Sequence, residues 1–335
     1  MKVAVLAPVA WRTPPRHYGP WEQIASNIAE GIIKFGAEVT LFATGDSITS
    51  GTLDAICAAG YEEDRTQDAK VLECLHISNL MEKAGQFDII HNNFDFLPLT
   101  YSGLIKTPVI TTIHGFSSPK IIPVYKKYNS RGHYVSISNA DRSPELDYLA
   151  TIYNGIDTRD FKFYDQSDDY LLYFGRIHPD KGTAEAIDIA KKSKRKLLIA
   201  GIVQDANYFK EKIEPQLSAD IKYIGHAGPE KRRELLGKAY ALLHPISFNE
   251  PFGLSVAEAM LCGTPVIAFN RGSMPELIKH RQTGFLVNSV NEAVEAVAVV
   301  AEINRIDCYE WANAQFSSEK MVSDYWKLYK RILGK

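Results

Sequence analysis

Cysteine is scarce in this chain. The 335 residues contain four, Cys57, Cys74, Cys262 and Cys308, with no CxxC and no metal-ligand spacing. They read as reduced, mostly buried thiols rather than as a disulfide framework or a metal cluster. Long apolar runs are missing too. No stretch approaches the ~18 apolar residues needed to span a bilayer, and the opening Met1–Ala7 run, stopped by Pro8, is too short for a signal peptide. The expected location is the cytoplasm. There is no charge excess of either sign: 38 basic against 40 acidic side chains leave −2, so no general pull toward nucleic acid is implied. Solenoid-length repeats and low-complexity tracts are absent. What remains is an ordinary globular composition, 45% hydrophobic and 23% charged, long enough for two domains at roughly 150 residues each.

Short β-branched runs alternate with amphipathic stretches along the chain. Strands are expected at 3–7, 39–42, 88–91, 109–113, 134–137 and 151–153. The pattern resumes at 170–174, 196–200, 221–224, 241–244 and 266–268. Apolar runs without polar alternation predict strands covered on both faces, as in parallel sheets. Between them, Ile24, Ile28, Ile32 and Phe35 form one helical stripe. Strand–helix alternation of this kind means α/β with parallel sheets. Asp157–Asp169, crowded with Asp157, Arg159, Asp160, Asp165, Asp168 and Asp169, is the candidate linker. It predicts two Rossmann-like domains, 1–156 and 157–317. A last helix at 318–335 carries Met321, Tyr325, Leu328, Tyr329 and Ile332 on one stripe.

In such sheets ligands bind at the carboxyl ends of the strands, so polar residues just after strands carry the functional information. The first strand ends at Ala7-Pro8 with no G-x-G-x-x-G, which disfavours a nicotinamide enzyme. Instead Gly19-Pro20 opens the first helix, where glycine admits a ligand close to the backbone and the free N–H groups suit an anion. In Gly175-Arg176-x4-Lys181-Gly182 a planar fork and a point charge flank one turn, a pair that suits a diphosphate; a solvated βα turn is the plain alternative. The stretch Phe248–Ala259 is the most specific. Gly253, Leu254 and Ser255 offer exposed N–H groups at a helix start. Glu258, expected two turns into that helix on a small apolar face, calls for a hydroxyl-bearing partner such as a ribose diol, because unpaired buried charge is costly; a capping loop with a surface Glu is the plain alternative.

Glu250-x7-Glu258, the Arg176/Lys181 turn, Tyr153-Asn154-Gly155-Ile156-Asp157 and Cys262–Ile267 through Gly272-x-x-Pro275-Glu276 stand in one order and spacing. On these the chain resembles the retaining glycosyltransferases of family 4, over its whole length. The resemblance implies a GT-B fold, with two Rossmann-like parallel-sheet domains facing an interdomain cleft and the last helix packing back on the first. It implies a hexose-type sugar moved from a UDP- or GDP-linked donor to a hydroxyl acceptor by a same-face mechanism. Glu258 would hold the ribose, Glu250 a hydroxyl of the transferred sugar, and His114 the donor sugar. Arg176 and Lys181, with the Leu254 and Ser255 amides and the Gly19 backbone, would neutralise the diphosphate. Gly253, Asn154 and the backbone around Gly225 would join the donor site. Pro20 replaces a glycine usual in the family, and Asn93 stands where many relatives carry a second histidine. His91 reads as a hydrogen-bonded strand-end histidine.

No Asp-x-Asp occurs, so no cofactor or metal is expected, and cations and helix ends offset the diphosphate charge. From Phe96 to Ala140 there is no Asp or Glu, while Lys106, Lys120, Lys126, Lys127 and Arg131 are interleaved with Tyr125, Tyr128 and Tyr134. This predicts either a face for an anionic acceptor or a peripheral anionic membrane contact, or simply a solvated helix. The competing functions are a nucleotide-sugar epimerase of the same fold, acting on the donor alone, and a non-catalytic nucleotide-sugar binder. The intact set His114, Arg176, Lys181, Glu250 and Glu258 favours transfer over both.

Overall fold

The central strands are apolar on both faces, and helices cover the two parallel sheets that they form. The computed structural model describes residues 1–116 and 118–335. They divide into two compact units, Met1–Gly155 with Ser318–Lys335, and Ile156–Ser317.

In the first unit the strands are β1 (Lys2–Leu6), β2 (Glu38–Phe42), β3 (Thr52–Asp54), β4 (Ile89–Asn92), β5 (Val109–Ile113), β6 (Tyr134–Ser136) and β7 (Tyr148–Thr151). They pair in parallel in the order β3-β2-β1-β4-β5-β6-β7, with Val3 opposite both Val39 and Ile89. The helices are α1 (Pro20–Lys34), α2 (Ala69–Glu82) and α3 (Ile122–Lys127). The second unit contains β8 (Tyr170–Phe174), β9 (Lys196–Ala200), β10 (Ile221–Tyr223), β11 (Ala241–His244), β12 (Val266–Phe269) and β13 (Gly284–Val287), ordered β10-β9-β8-β11-β12-β13 and again parallel. Its helices are α4 (Thr183–Ser193), α5 (Ala206–Tyr208), α6 (Pro229–Lys238), α7 (Leu254–Leu261), α8 (Met274–Leu277), α9 (Val290–Val299) and α10 (Arg305–Phe316).

The final helix, α11 (Ser318–Ile332), returns to the first unit and packs on α1. A Cβ on Gly31 would stand 2.3 Å from Val322 Cγ2, so the missing side chain sets how closely the two helices approach. Ile24, Ile28 and Ile32 of α1 are buried, but Phe35 is 46% exposed; it caps the helix and stacks on Trp326 at 5.5 Å instead of entering the core. Met321, Tyr325, Leu328 and Tyr329 are buried as their spacing predicts, joined by Val322. The structure also corrects the strand at 151–153, which lies earlier, at Tyr148–Thr151, and adds β3 and β13, both short. Cys262 and Cys308 are buried and Cys74 is exposed.

Candidate active site

Both sheets reverse strand order once, between β1 and β4 and between β8 and β11. A ligand crevice forms where strands on either side of such a point send their connections to opposite faces. The sequence places its polar motifs after these strands and their neighbours.

In the second unit, the turn after β8 presses against the loop after β11. Gly182 has φ +73°, and a Cβ there would lie 1.9 Å from the Pro245 carbonyl oxygen. Ser247 N–H donates to the Asp180 carbonyl at 2.9 Å. This contact brings Lys181 Nζ to 2.7 Å from Glu250 Oε2, with the two side chains only 15% and 14% exposed. Lys181 Nζ also sits 4.4 Å from the centre of the Phe248 ring, and His244 Nε2 lies 3.7 Å from the same carboxylate oxygen. Burial pushes the Glu250 carboxyl up, but His244 and the Lys181 charge outweigh it and hold it down at about 2. Glu250 is therefore an ionised acceptor across the working pH range, and not an acid. Arg176, on the same turn as Lys181, donates through Nη1 to Gln204 Oε1.

Gly253 caps α7 with no side-chain hydrogen bond, and its carbonyl accepts from Val256 and Ala257. The first-turn N–H groups of Leu254 and Ser255 precede that ladder. Glu258 stands one turn into α7 rather than two, and is 5% exposed. Its protein partner differs from the expected hydroxyl: Arg232 of α6 pairs with Oε1. Burial lowers the Arg232 guanidinium to about 10, and the Phe161 and Phe174 rings both lie 5.7 Å from it. The second carboxylate oxygen of Glu258 is buried without a partner, an arrangement that costs free energy unless something else donates to it. Gly225 follows β10 in open space, and its carbonyl accepts from Gly201 N–H at 3.0 Å.

In the first unit, Gly19 precedes α1 and places Trp21 and Glu22 in its first turn. His114, just after β5, is buried; its Nε2 lies 3.1 Å from Asn93 Oδ1, and its Nδ1 has no partner. Trp21 stacks on the imidazole at 5.4 Å and 24°. Burial pushes the His114 pKa down to about 3, so the ring is neutral. Asn154 is buried, and the neighbouring Gly155 is anchored from both sides, its carbonyl by Asn27 Nδ2 at 2.9 Å and its N–H by Met321 Sδ at 3.0 Å. His91 has both ring nitrogens hydrogen-bonded, to Tyr329 and Thr112.

The 96–140 segment behaves differently from one mixed face. Tyr125 and Tyr134 are fully buried, with Tyr125 donating to Asp95 and Tyr134 to the Tyr125 carbonyl. Lys126 pairs with Glu145 at 2.6 Å. Lys106, Lys120, Lys126, Lys127 and Arg131 are exposed, and Tyr128 is half-buried. Among the described residues, no three His, Cys, Asp or Glu side chains are grouped to hold a metal ion, and no helix is long and apolar enough to cross a membrane. Arg232, His244, Gln204 and Trp21 were not signalled by any local motif. Arg232, Gln204 and Trp21 reach their partners across 26, 28 and 93 residues, separations at which spacing carries no information, whereas His244 ends β11 just six residues before Glu250.

Residues 157–307 match the family described as glycosyl transferases group 1. An uncharacterized glycosyltransferase of Methanocaldococcus jannaschii is 24% identical over 341 residues, covering 87% of this chain and 86% of that protein. Sucrose-phosphate synthase from Thermosynechococcus elongatus shares the fold at a TM-score of 0.82 and 17% identity, covering 100% of this chain and 99% of that one. Anabaena HepE, solved in complex with UDP-glucose, does so at 0.72 and 18% identity, over 99% and 100%. The two parallel-sheet units are thus those of the GT-B fold.

Proposed function

We propose that the chain, whose residues 157–307 match the glycosyl transferases group 1, moves a hexose-type sugar from a UDP- or GDP-linked donor to a hydroxyl acceptor, with retention and without a metal ion. The observation that carries this reading is the part-buried Lys181–Glu250 pair at the β8/β11 switch point. An ammonium there has three donors, one of them on Glu250, and the others are available to a diphosphate. Arg176 and the α7 start add positive character on the same edge of the sheet. Glu250, ionised and already bonded to Lys181, is suited to accept from a sugar hydroxyl and poorly suited to attack an anomeric carbon. A same-face displacement follows. The acceptor oxygen bonds to the anomeric carbon as the bond to the phosphate oxygen breaks, and the acceptor's proton passes to the departing diphosphate. Positioning and preorganised charge supply the catalysis, and the Gly225 backbone takes part in donor recognition.

A thermal-shift panel of UDP-, GDP- and ADP-sugars selects the donor, since a ligand that binds only the folded state raises its melting temperature. With that donor, proton NMR of fresh product should show an α linkage from an α-linked donor, and EDTA should leave most activity intact. A β product, or activity abolished by EDTA and restored by manganese, overturns the mechanism.

The unpartnered Glu258 oxygen supports a ribose-diol role. Glu258→Ala should weaken nucleoside-diphosphate binding about ten- to a hundred-fold, from the roughly 1.5–3 kcal/mol of hydrogen bonds to a charged group. Since alanine also strands the half-buried Arg232, Glu258→Gln is the companion variant, keeping one oxygen for the guanidinium. Titration calorimetry reads both. Unchanged dissociation constants in the pair would leave Glu258 with only its ion pair to Arg232.

A further inference from the structure

Asn93 and His114 end neighbouring parallel strands of the first unit, and each carries one hydrogen-bonded and one buried, unpartnered polar atom. Their chemistry fixes who donates. A carboxamide Oδ1 can only accept, so the His114 nitrogen 3.1 Å away, Nε2, must carry the proton. In a neutral imidazole the other nitrogen is then a bare lone pair. Trp21 stacks against the face of the ring. Asn93 is itself held in place: its side chain is buried and its backbone N–H donates to the Leu6 carbonyl at 2.9 Å. Two orphaned atoms remain, an acceptor at His114 Nδ1 and a donor at Asn93 Nδ2.

We propose that Asn93 is a positioning residue for the transfer reaction: it holds His114 in the Nε2–H form, so that the bare Nδ1 accepts a hydrogen bond from a substrate hydroxyl. The free Asn93 Nδ2–H is the complementary donor for an oxygen of the same polyhydroxylated ligand. The substrate half of this inference rests on the sugar-transfer reading above, and the tautomer half does not. A protonated or reversed imidazole would present N–H to a ligand; this one presents a lone pair and selects for an alcohol over a carbonyl or phosphate oxygen.

Nitrogen-15 histidine correlation spectra of the full chain at pH 7 test the tautomer directly. The expected His114 signal, assigned by its loss in His114→Gln, has a protonated Nε2 and a bare Nδ1. An Nδ1–H form or an imidazolium overturns the proposal without any activity assay. In Asn93→Leu, the tautomer should become mixed, and kcat should fall roughly tenfold, the value of about one hydrogen bond, with nucleoside-diphosphate affinity unchanged. A variant that keeps a single Nε2–H tautomer overturns the role of Asn93. Should Asn93→Leu not fold, the wild-type spectrum still decides, and Asn93→Ser supplies the comparison. A normal kcat in His114→Gln, with the wild-type tautomer as expected, instead overturns the contact between His114 and the sugar.

Discussion

Lys181→Ala is expected to lower kcat on the order of 10²–10³, the range for removing one preorganised electrostatic stabiliser, while binding of the bare nucleoside changes little. Negative charge grows on the diphosphate as the glycosidic bond breaks, and a nucleoside carries none of that charge. The structure adds a second consequence. Lys181 is the nearest cation to Glu250, at 2.7 Å, and with His244 it keeps the carboxyl at about 2 against the opposing effect of burial. Without the ammonium, burial has only His244 to oppose it, and the Glu250 pKa must rise. The residual activity of Lys181→Ala should therefore acquire an acid limb that the wild type lacks, and Lys181→Arg should remove that limb by restoring a charge. Arg176→Ala tests the other cation; its guanidinium bonds to Gln204 and not to Glu250, so it should lose rate without the new limb. Steady-state kinetics from pH 5 to 8 read all three variants. Near wild-type kcat in both alanine variants would mean that these cations do not serve the diphosphate.

The legible parts of this molecule are those whose cause is local. Val109–Ile113 is a β-branched run buried along its whole length, Leu197–Ala200 is an apolar run, and strands form at both. The edge strands β3 and β13 escaped because Thr52–Asp54 is too brief to show a period and Gly284–Val287 begins with glycine. The same division runs through the site. The turn carrying Arg176 and Lys181 and the loop carrying Glu250 are readable as motifs after strands, yet nothing in either shows that Lys181 and Glu250 meet. That contact follows from the β8–β11 pairing and from Gly182 packing under Pro245. Glu258 was legible as a buried carboxylate in need of a partner, but Arg232 was not legible as that partner, because an exposed-looking Pro229–Lys238 helix gives no sign that one of its arginines turns inward.

Glu22→Gln should stabilise the first unit far more at pH 8 than at pH 5. Glu22 lies in the first turn of α1 and is 3% exposed. Its Oε1 accepts from the Trp11 N–H at 3.3 Å, and a Cβ on Gly19 would stand 2.9 Å from its Oε2. Burial is the main cause that raises its pKa to about 7, helped by the Glu63 charge; the backbone N–H groups of Glu22 and Trp11 pull the other way. A carboxyl whose folded pKa is raised contributes stability below its unfolded value, near 4.5, and loses it as pH climbs through the folded value. At pH 8 the folded chain must hold this charge in a dry site, whereas the unfolded chain holds it in water. At roughly 1.4 kcal/mol per pKa unit, the difference is about 3 kcal/mol. Glutamine imitates the protonated acid: its oxygen still accepts from Trp11, and it carries no charge at any pH. The gain at pH 8 corresponds to a rise in Tm on the order of 6–12 °C for a unit of this size. At pH 5 both side chains are neutral in the folded state and ~1 kcal/mol or less should separate them. His76, His91 and His114, all depressed by burial, give the unit an opposite dependence, losing stability as pH falls below about 6.5; they are common to both proteins and cancel in the comparison. Thermal unfolding of wild type and variant at the two pH values is the measurement. An equal Tm difference at pH 5 and pH 8 would show that Glu22 does not titrate between them.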